Sequence, residues 1–179
     1  MTTAYETVTE NDTSSPRDGR IKLHGPEAFA GMRKAGRLAA EILDMLVEHA
    51  RPGNTTAYLD KLAREYAFDN GSVPATLFYR GYRHSLCTSI NHVVCHGIPG
   101  DRVLKDGDIV NIDHTVIVAG WPGASSRMYA VGETNARATK LIDVTYQSLD
   151  LGLEQVKPGN TLGAIGFAIQ QFAAAQRMT

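Results

Sequence analysis

The stretch from Asp108 to Val131 restricts the fold more than any other part of the chain. β-Branched residues alternate with polar ones on both sides of Ala119-Gly120. A period of two is that of a half-buried strand, and a glycine-containing pair between two such runs closes a tight antiparallel turn, so a β-hairpin is predicted. Along its first strand Ile112, His114 and Val116 leave on one side, and Asn111, Asp113 and Thr115 on the other. Asp113 is therefore a carboxylate on a polar hairpin face, while His114 belongs to the opposite face. Residue 124 lies about as far past the turn as Asp113 lies before it, and is expected roughly opposite, at a cross-strand Cβ separation of about 4.5 to 5.5 Å. A second acid there would make a metal cradle, but the residue is Ala124. Taken alone, a single strand Asp is more often a solvated or hydrogen-bonded carboxylate than a ligand.

On either side of the hairpin the periodicity is helical. From Pro26 to about Ala50, Phe29, Met32, Leu38, Ala39, Ile42, Leu43 and Leu46 form an apolar stripe, with Pro26 suited to a first turn. Arg51-Pro52-Gly53-Asn54 breaks that helix. Thr55 or Thr56 can cap a second one, marked by Leu59, Leu62, Ala63 and Tyr66 and ending at Asn70-Gly71. Between Ser72 and Gly107 the chain is loop-rich. A third helix is expected from Gly132 to Val156, burying Leu141, Thr145, Leu149 and Gly152, and a fourth carries Leu162, Ile165, Ile169 and Phe172. Arg51-Pro52-Gly53-Asn54-Thr55 and Lys157-Pro158-Gly159-Asn160-Thr161 each join a longer helix to a shorter one. This is an internal repeat, whose second copy would also lead to a hairpin if complete.

Composition excludes several classes. With 43% hydrophobic and 21% charged residues, the chain has the make-up of one globular domain. A net charge of −1 gives no electrostatic reason for nucleic acid or an anionic membrane as partner. Cys87 and Cys95 lack zinc-ribbon or disulfide-framework spacing and are read as reduced thiols of a cytoplasmic protein. Residues 1–20 hold no apolar run and are expected to be a disordered tail, and no stretch reaches the roughly 18 apolar residues of a membrane span.

The segment Cys87-Thr88-Ser89-Ile90-Asn91-His92-Val93-Val94-Cys95-His96-Gly97-Ile98-Pro99, followed by Leu104 to Asp113, resembles the type I methionine aminopeptidases. The resemblance runs back through Lys22 to Glu27 and Met32 to Gly36, and forward to Val156-Lys157-Pro158-Gly159. Prolidase-like enzymes share that family's fold, but the Cys-His-Gly-Ile-Pro segment fits them less well. The resemblance implies the α+β pita-bread fold, two pseudo-twofold halves facing each other across a pair of divalent metals. In that family two Asp, one His and two Glu hold the metals, which activate a water for attack on the N-terminal peptide bond. By resemblance Asp113 is the first Asp and Ala124 stands at the second, while the His and both Glu come from a second half expected to begin near Thr179. Tyr79, Tyr82 and Cys87 fall on positions lining the pocket for the substrate's methionine side chain, where aromatic and soft sulfur groups suit a thioether. His96 falls on the histidine that contacts the scissile amide.

Residues 21–179 are thus expected to be a truncated catalytic domain: an antiparallel hairpin sheet covered by amphipathic helices, comprising the first half and the opening helices of the second. The family reaction is removal of the initiator methionine from nascent chains, with cobalt, manganese, iron or zinc as metals suited to such ligands. With Ala124 and most ligands missing, this chain is expected to be impaired or inactive and to lose the metals. The alternative is a non-catalytic pseudoenzyme or truncated gene product that keeps contact with a peptide or the ribosome. An uncovered sheet edge would favour self-association.

Overall fold

The computed structural model describes residues 5–7 and 21–178. Tyr5–Thr7 (β1) and Ile21–Leu23 (β2) pair in parallel, so three residues of the expected tail are strand; residues 1–4 and 8–20 of that tail lie outside the described residues. The remaining order is α1 (Pro26–Leu46), α2 (Thr56–Asp69), β3 (Val73–Pro74), a 3-10 turn (Tyr79–Gly81), β4 (Leu86–Ile90), β5 (Ile109–Val118), β6 (Trp121–Ala130), α3 (Ala136–Leu153) and α4 (Leu162–Ala175).

The hairpin is the predicted one. Ala119 and Gly120 have φ of 49° and 84°, and two positive φ values in a two-residue loop mark the turn whose twist matches that of the strands. That loop pairs Val118 with Trp121, which fixes the rest of the register: Asp113 opposes Ser126, and Thr115 opposes Ala124. Ala124 is therefore not opposite Asp113 but two residues along, on the same face and on the diagonal. The alternation holds, with Ile112, His114 and Val116 buried and Asn111, Asp113 and Thr115 partly open.

β5 is the centre of the sheet. β6 runs antiparallel along one side, and the other side is shared by β4 against 110–114 and β3 against 116–117. The segment from Ser72 to Gly107, expected to be loop-rich, thus contains two strands. Leu86–Ile90 is buried at every position, so no alternation marks it in the sequence.

Helix α1 lies across β5 and β6 and buries Ala28, Ala35, Leu38, Ala39, Ile42, Leu43 and Leu46. Each large aliphatic side chain so buried contributes roughly 1.5 to 3 kcal/mol. Phe29 and Met32, expected in that stripe, are exposed. The hairpin approaches too closely for large residues there: a Cβ on Gly123 would run into the Ala35 backbone, so the contact is made by alanine and glycine. Tyr129 spans the same interface, its hydroxyl donating to the Leu43 carbonyl at 2.6 Å. Helix α2 packs beside β3 and β4, and its cap is Thr55, whose hydroxyl accepts from Tyr58 N–H at 3.1 Å.

Helix α3 is shorter than expected and its buried stripe is Val144, Ser148 and Gly152; Leu141, Thr145 and Leu149 are exposed. The stripe is set by α4, whose Ile165 and Ile169 lie against Gly152, where a larger residue would not fit as closely. No residue of α4 is fully buried, and Leu162 and Phe167 are exposed. The repeat is visible in three dimensions. Gly53 and Gly159 have φ of 94° and 89°, and Asn54 and Asn160 donate to the carbonyls of His49 and Gln155 at 2.8 and 2.9 Å. In both copies the glycine takes the left-handed conformation that turns the chain from one helix to the next.

Candidate functional site

One face of the sheet meets the helices; the other carries short polar groups. The β5 part of that face holds Asn111, Asp113 and Thr115 and the β6 part Ala124, Ser126 and Met128, while the β4 residues on the same side, Cys87 and Ser89, are buried. Cys87 and Asp113 are directly opposed in register, which puts them on the same face. Ala124 and Ser126 are exposed.

Tyr82 closes one side of this face. Its hydroxyl donates to the Leu86 carbonyl at 2.9 Å and meets Cys87 Sγ at 3.5 Å. With its one proton on the carbonyl, the phenol oxygen is left to accept from the thiol. Burial first, then the hydrogen bond and charge of Cys87 and the charge of Asp60, push the phenol's pKa well up, so Tyr82 is neutral at any physiological pH. Tyr79 sits further out and exposed, with the Arg80 guanidinium 5.4 Å from its ring centre. Phe78 and Arg80, on either side of it, have φ of 67° and 49°, a left-handed backbone that costs side-chain-bearing residues roughly 1 to 2 kcal/mol each. Such strain concentrates at sites that bind or switch.

His96 is presented by backbone packing. Gly97 lies flat on the free edge of β4: its carbonyl accepts Thr88 N–H at 2.7 Å and its N–H donates to Ser89 Oγ at 3.1 Å. A Cβ at residue 97 would fall on the Thr88 carbonyl oxygen. The left-handed turn at His96, φ 54°, then leaves its side chain exposed, beside the strand that carries Cys87. The far end of that loop is held at Asn91, which donates to Asp108 Oδ1 at 2.8 Å and accepts Ile109 N–H at 3.0 Å.

The structure thus brings Tyr82, Cys87, Asp113, Ser126 and Ala124 to one face, with His96 at its edge and Tyr79 beyond its rim. Of the other histidines, His114 is buried on the helix side as expected, with Nδ1 on the Ser85 carbonyl at 2.8 Å and Nε2 without a partner. Burial holds its pKa below the usual imidazole value, so it is neutral and takes no part in the open face. His84 reaches Asp60 at 3.3 Å, a buried carboxylate that no local pattern in the sequence marks out from the other polar residues of α2. A cleft of about 960 Å³ lies elsewhere, between Asn91, His92, Arg137, Lys140 and Arg177, and contains none of these site residues.

Among the described residues, no group of three or more His, Cys, Asp or Glu converges as a metal site. On the open face the donors are one carboxylate, one thiol, hydroxyls and an amide, which do not fit a pair of divalent metals that needs several carboxylates and an imidazole.

Residues 30–178 match the family model described as metallopeptidase family M24. The chain belongs to that family. Within it the chain is 52% identical over 153 residues to the methionine aminopeptidase of Rickettsia prowazekii, covering 86% of this chain and 59% of the relative, and 48% identical over 158 residues to that of Escherichia coli, covering 87% and 60%. The solved structure of the Rickettsia enzyme superposes with a TM-score of 0.86 at 51% identity, covering 87% of this chain and 63% of the other. For the methionine aminopeptidase of Thermotoga maritima the TM-score is 0.84 at 32% identity, with the same coverages. The M24 chain described here has the α+β pita-bread architecture of these methionine aminopeptidases and spans about 60% of the length of its curated relatives.

Proposed function

We propose that this M24 chain carries the substrate-recognition side of a methionine aminopeptidase and, alone, binds the N-terminal methionine of a peptide without hydrolysing it. The observation that carries the reading is the register that opposes Cys87 and Asp113, with the Tyr82 hydroxyl on the thiol. One wall then offers aromatic and sulfur surface to an unbranched thioether, a polarisable contact that suits methionine. Tyr79 covers the outer end of that side chain, and His96, on its raised turn, reaches the amide that follows. Asp113 is the one metal ligand this face supplies. In the family reaction two divalent metals, of the cobalt, manganese, iron or zinc kind, supply the activated water, and the donors of the described open face do not fit such a pair.

A non-catalytic role is favoured by a specific observation: Ala124, at the second ligand position, is exposed on the diagonal from Asp113, with hydroxyls rather than acids around it. The expected partner is the N-terminus of a nascent chain, in the cytoplasm and close to the ribosome. No described helix is long and apolar enough to cross a membrane. The exposed apolar residues of α4 support self-association of the isolated chain.

The test is titration of labelled chain with Met-Ala-Ser while amide shifts are followed by NMR, alongside assay of methionine release with added manganese. Expected are shifts confined to residues near Tyr82, Cys87 and His96, weaker with Glu-Ala-Ser, and no release above a blank without protein. Shifts elsewhere, or none, would remove the recognition reading; release of methionine would remove the non-catalytic one.

A further inference from the structure

The Asp60 carboxylate takes no part in the reading above, yet it is 4% exposed and all its bonds go to the segment that enters β4. Oδ1 accepts Ser85 N–H at 2.6 Å and Leu86 N–H at 3.2 Å, and Oδ2 lies 3.3 Å from His84 Nδ1. Three consecutive residues hang from one side chain of α2. A carboxylate is buried so deeply only where donors replace its water, and charge-assisted hydrogen bonds are stronger than neutral ones. A second tie, Thr76 Oγ1 to the His84 carbonyl at 3.0 Å, holds the same point from the other side.

What hangs there is the pocket wall. Tyr82 precedes the clamp and donates to the carbonyl of Leu86, one of the clamped residues; Cys87 follows it. β4 is five residues long, and its register decides which side chains meet the open face. A slip of one residue would turn Leu86 to that face and Cys87 to the core. Such a short strand has few ladder bonds with which to resist slipping. A fixed start is what holds Cys87 opposite Asp113.

We propose that Asp60 is the positioning residue of the Tyr82–Cys87 wall, its buried carboxylate setting where β4 begins and so which side chains face the substrate. This rests on reading Tyr82 and Cys87 as the wall, but its test addresses Cys87 itself and is independent of peptide binding.

In a Cys95→Ser background Cys87 is the one remaining thiol, since the sequence has two cysteines. Its rate of reaction with dithiobis-nitrobenzoate under native conditions reports local opening of β4. Asp60→Ala is expected to raise that rate at least about tenfold, because bonds to a charged acceptor are lost. Asp60→Asn retains an amide oxygen for the two N–H groups and is expected to bring the rate back most of the way. A thiol introduced by Val131→Cys, in a chain lacking both natural cysteines, reports general loosening and is expected to be unaffected by Asp60→Ala. A parental Cys87 rate in Asp60→Ala, or an equal acceleration at residue 131, would overturn the proposal. Should Asp60→Ala fail to fold, hydrogen exchange in the unsubstituted chain decides: the Ser85 amide, bonded to Asp60, is expected to exchange as slowly as the ladder amide of Ile112, and exchange as fast as at exposed His92 would refute the clamp.

Discussion

Replacing Gly97 by alanine tests how the histidine loop is held. The added methyl group would fall on the Thr88 carbonyl oxygen, so the loop must lift off the β4 edge. Lifting it breaks Thr88 N–H to the Gly97 carbonyl, 2.7 Å, and Gly97 N–H to Ser89 Oγ, 3.1 Å. At about 0.5 to 1.5 kcal/mol net for each hydrogen bond, the loop loses roughly 1 to 3 kcal/mol. At 1.4 kcal/mol for each factor of ten, the Thr88 amide should exchange with solvent about 5- to 140-fold faster. If all of that were lost globally, Tm would fall by roughly 2 to 4 °C for each kcal/mol, so a smaller shift than this would place the opening in the loop alone. Gly100→Ala is the matched control. A Cβ there meets nothing within 4 Å, and the bonds between residue 100 and Thr56 use the backbone of the glycine, which the substitution keeps. Hydrogen exchange followed by NMR, with a thermal melt of each variant, measures both quantities. If Gly97→Ala left Thr88 as protected as in the parent, the close packing that presents His96 would be wrong.

Ala124→Asp alone is expected to give neither two retained metal equivalents after dialysis nor methionine release from Met-Ala-Ser with manganese, because it adds one acid on the diagonal from Asp113 and no further ligand. Two like charges at such a separation favour protonation of one over capture of a metal, and retention of two equivalents would refute this account. Asp108 gives a pH dependence. Burial pushes its pKa up, but hydrogen bonds from Asn91 and the Lys105 N–H, with nearby Arg102 and Lys105, outweigh that and hold it below its ordinary 3.8. A carboxyl whose folded pKa is depressed contributes stability above the unfolded value and loses it as pH falls through the folded one. Melting points of the parent should therefore drop below about pH 4 more steeply than those of Asp108→Asn, and parallel curves would contradict the assignment.

Much of this protein is written in local pattern. Alternation of period two can be satisfied only by a strand with one buried face, so the hairpin, the faces of Asp113 and His114, and the Ala119-Gly120 turn follow from the residues between Asp108 and Val131. A threonine cap at Thr55 or Thr56, which the structure settles at Thr55, and the paired Gly53 and Gly159 turns are equally legible, because φ and capping bonds are decided within a few residues. Other features depend on what approaches from elsewhere in the chain. β4 is buried on both faces and shows no alternation; its Cys87 reads as a loop residue until β5 is laid beside it. The exposed Phe29 and Met32 follow the helical period of α1, yet the close passage of Gly123 gives the contact to alanines. The choice of Val144, Ser148 and Gly152 over Leu141, Thr145 and Leu149 was made by α4. Asp60 looks like any polar helix residue until His84, Ser85 and Leu86 arrive from a distant part of the sequence to take all its bonds. The sequence by itself determined where the chain extends, coils and turns, because those preferences act through neighbouring residues; the tertiary structure decided the register of β4 on β5, burial on two sides and the partners of a buried charge, because each is a contact between residues far apart in the chain.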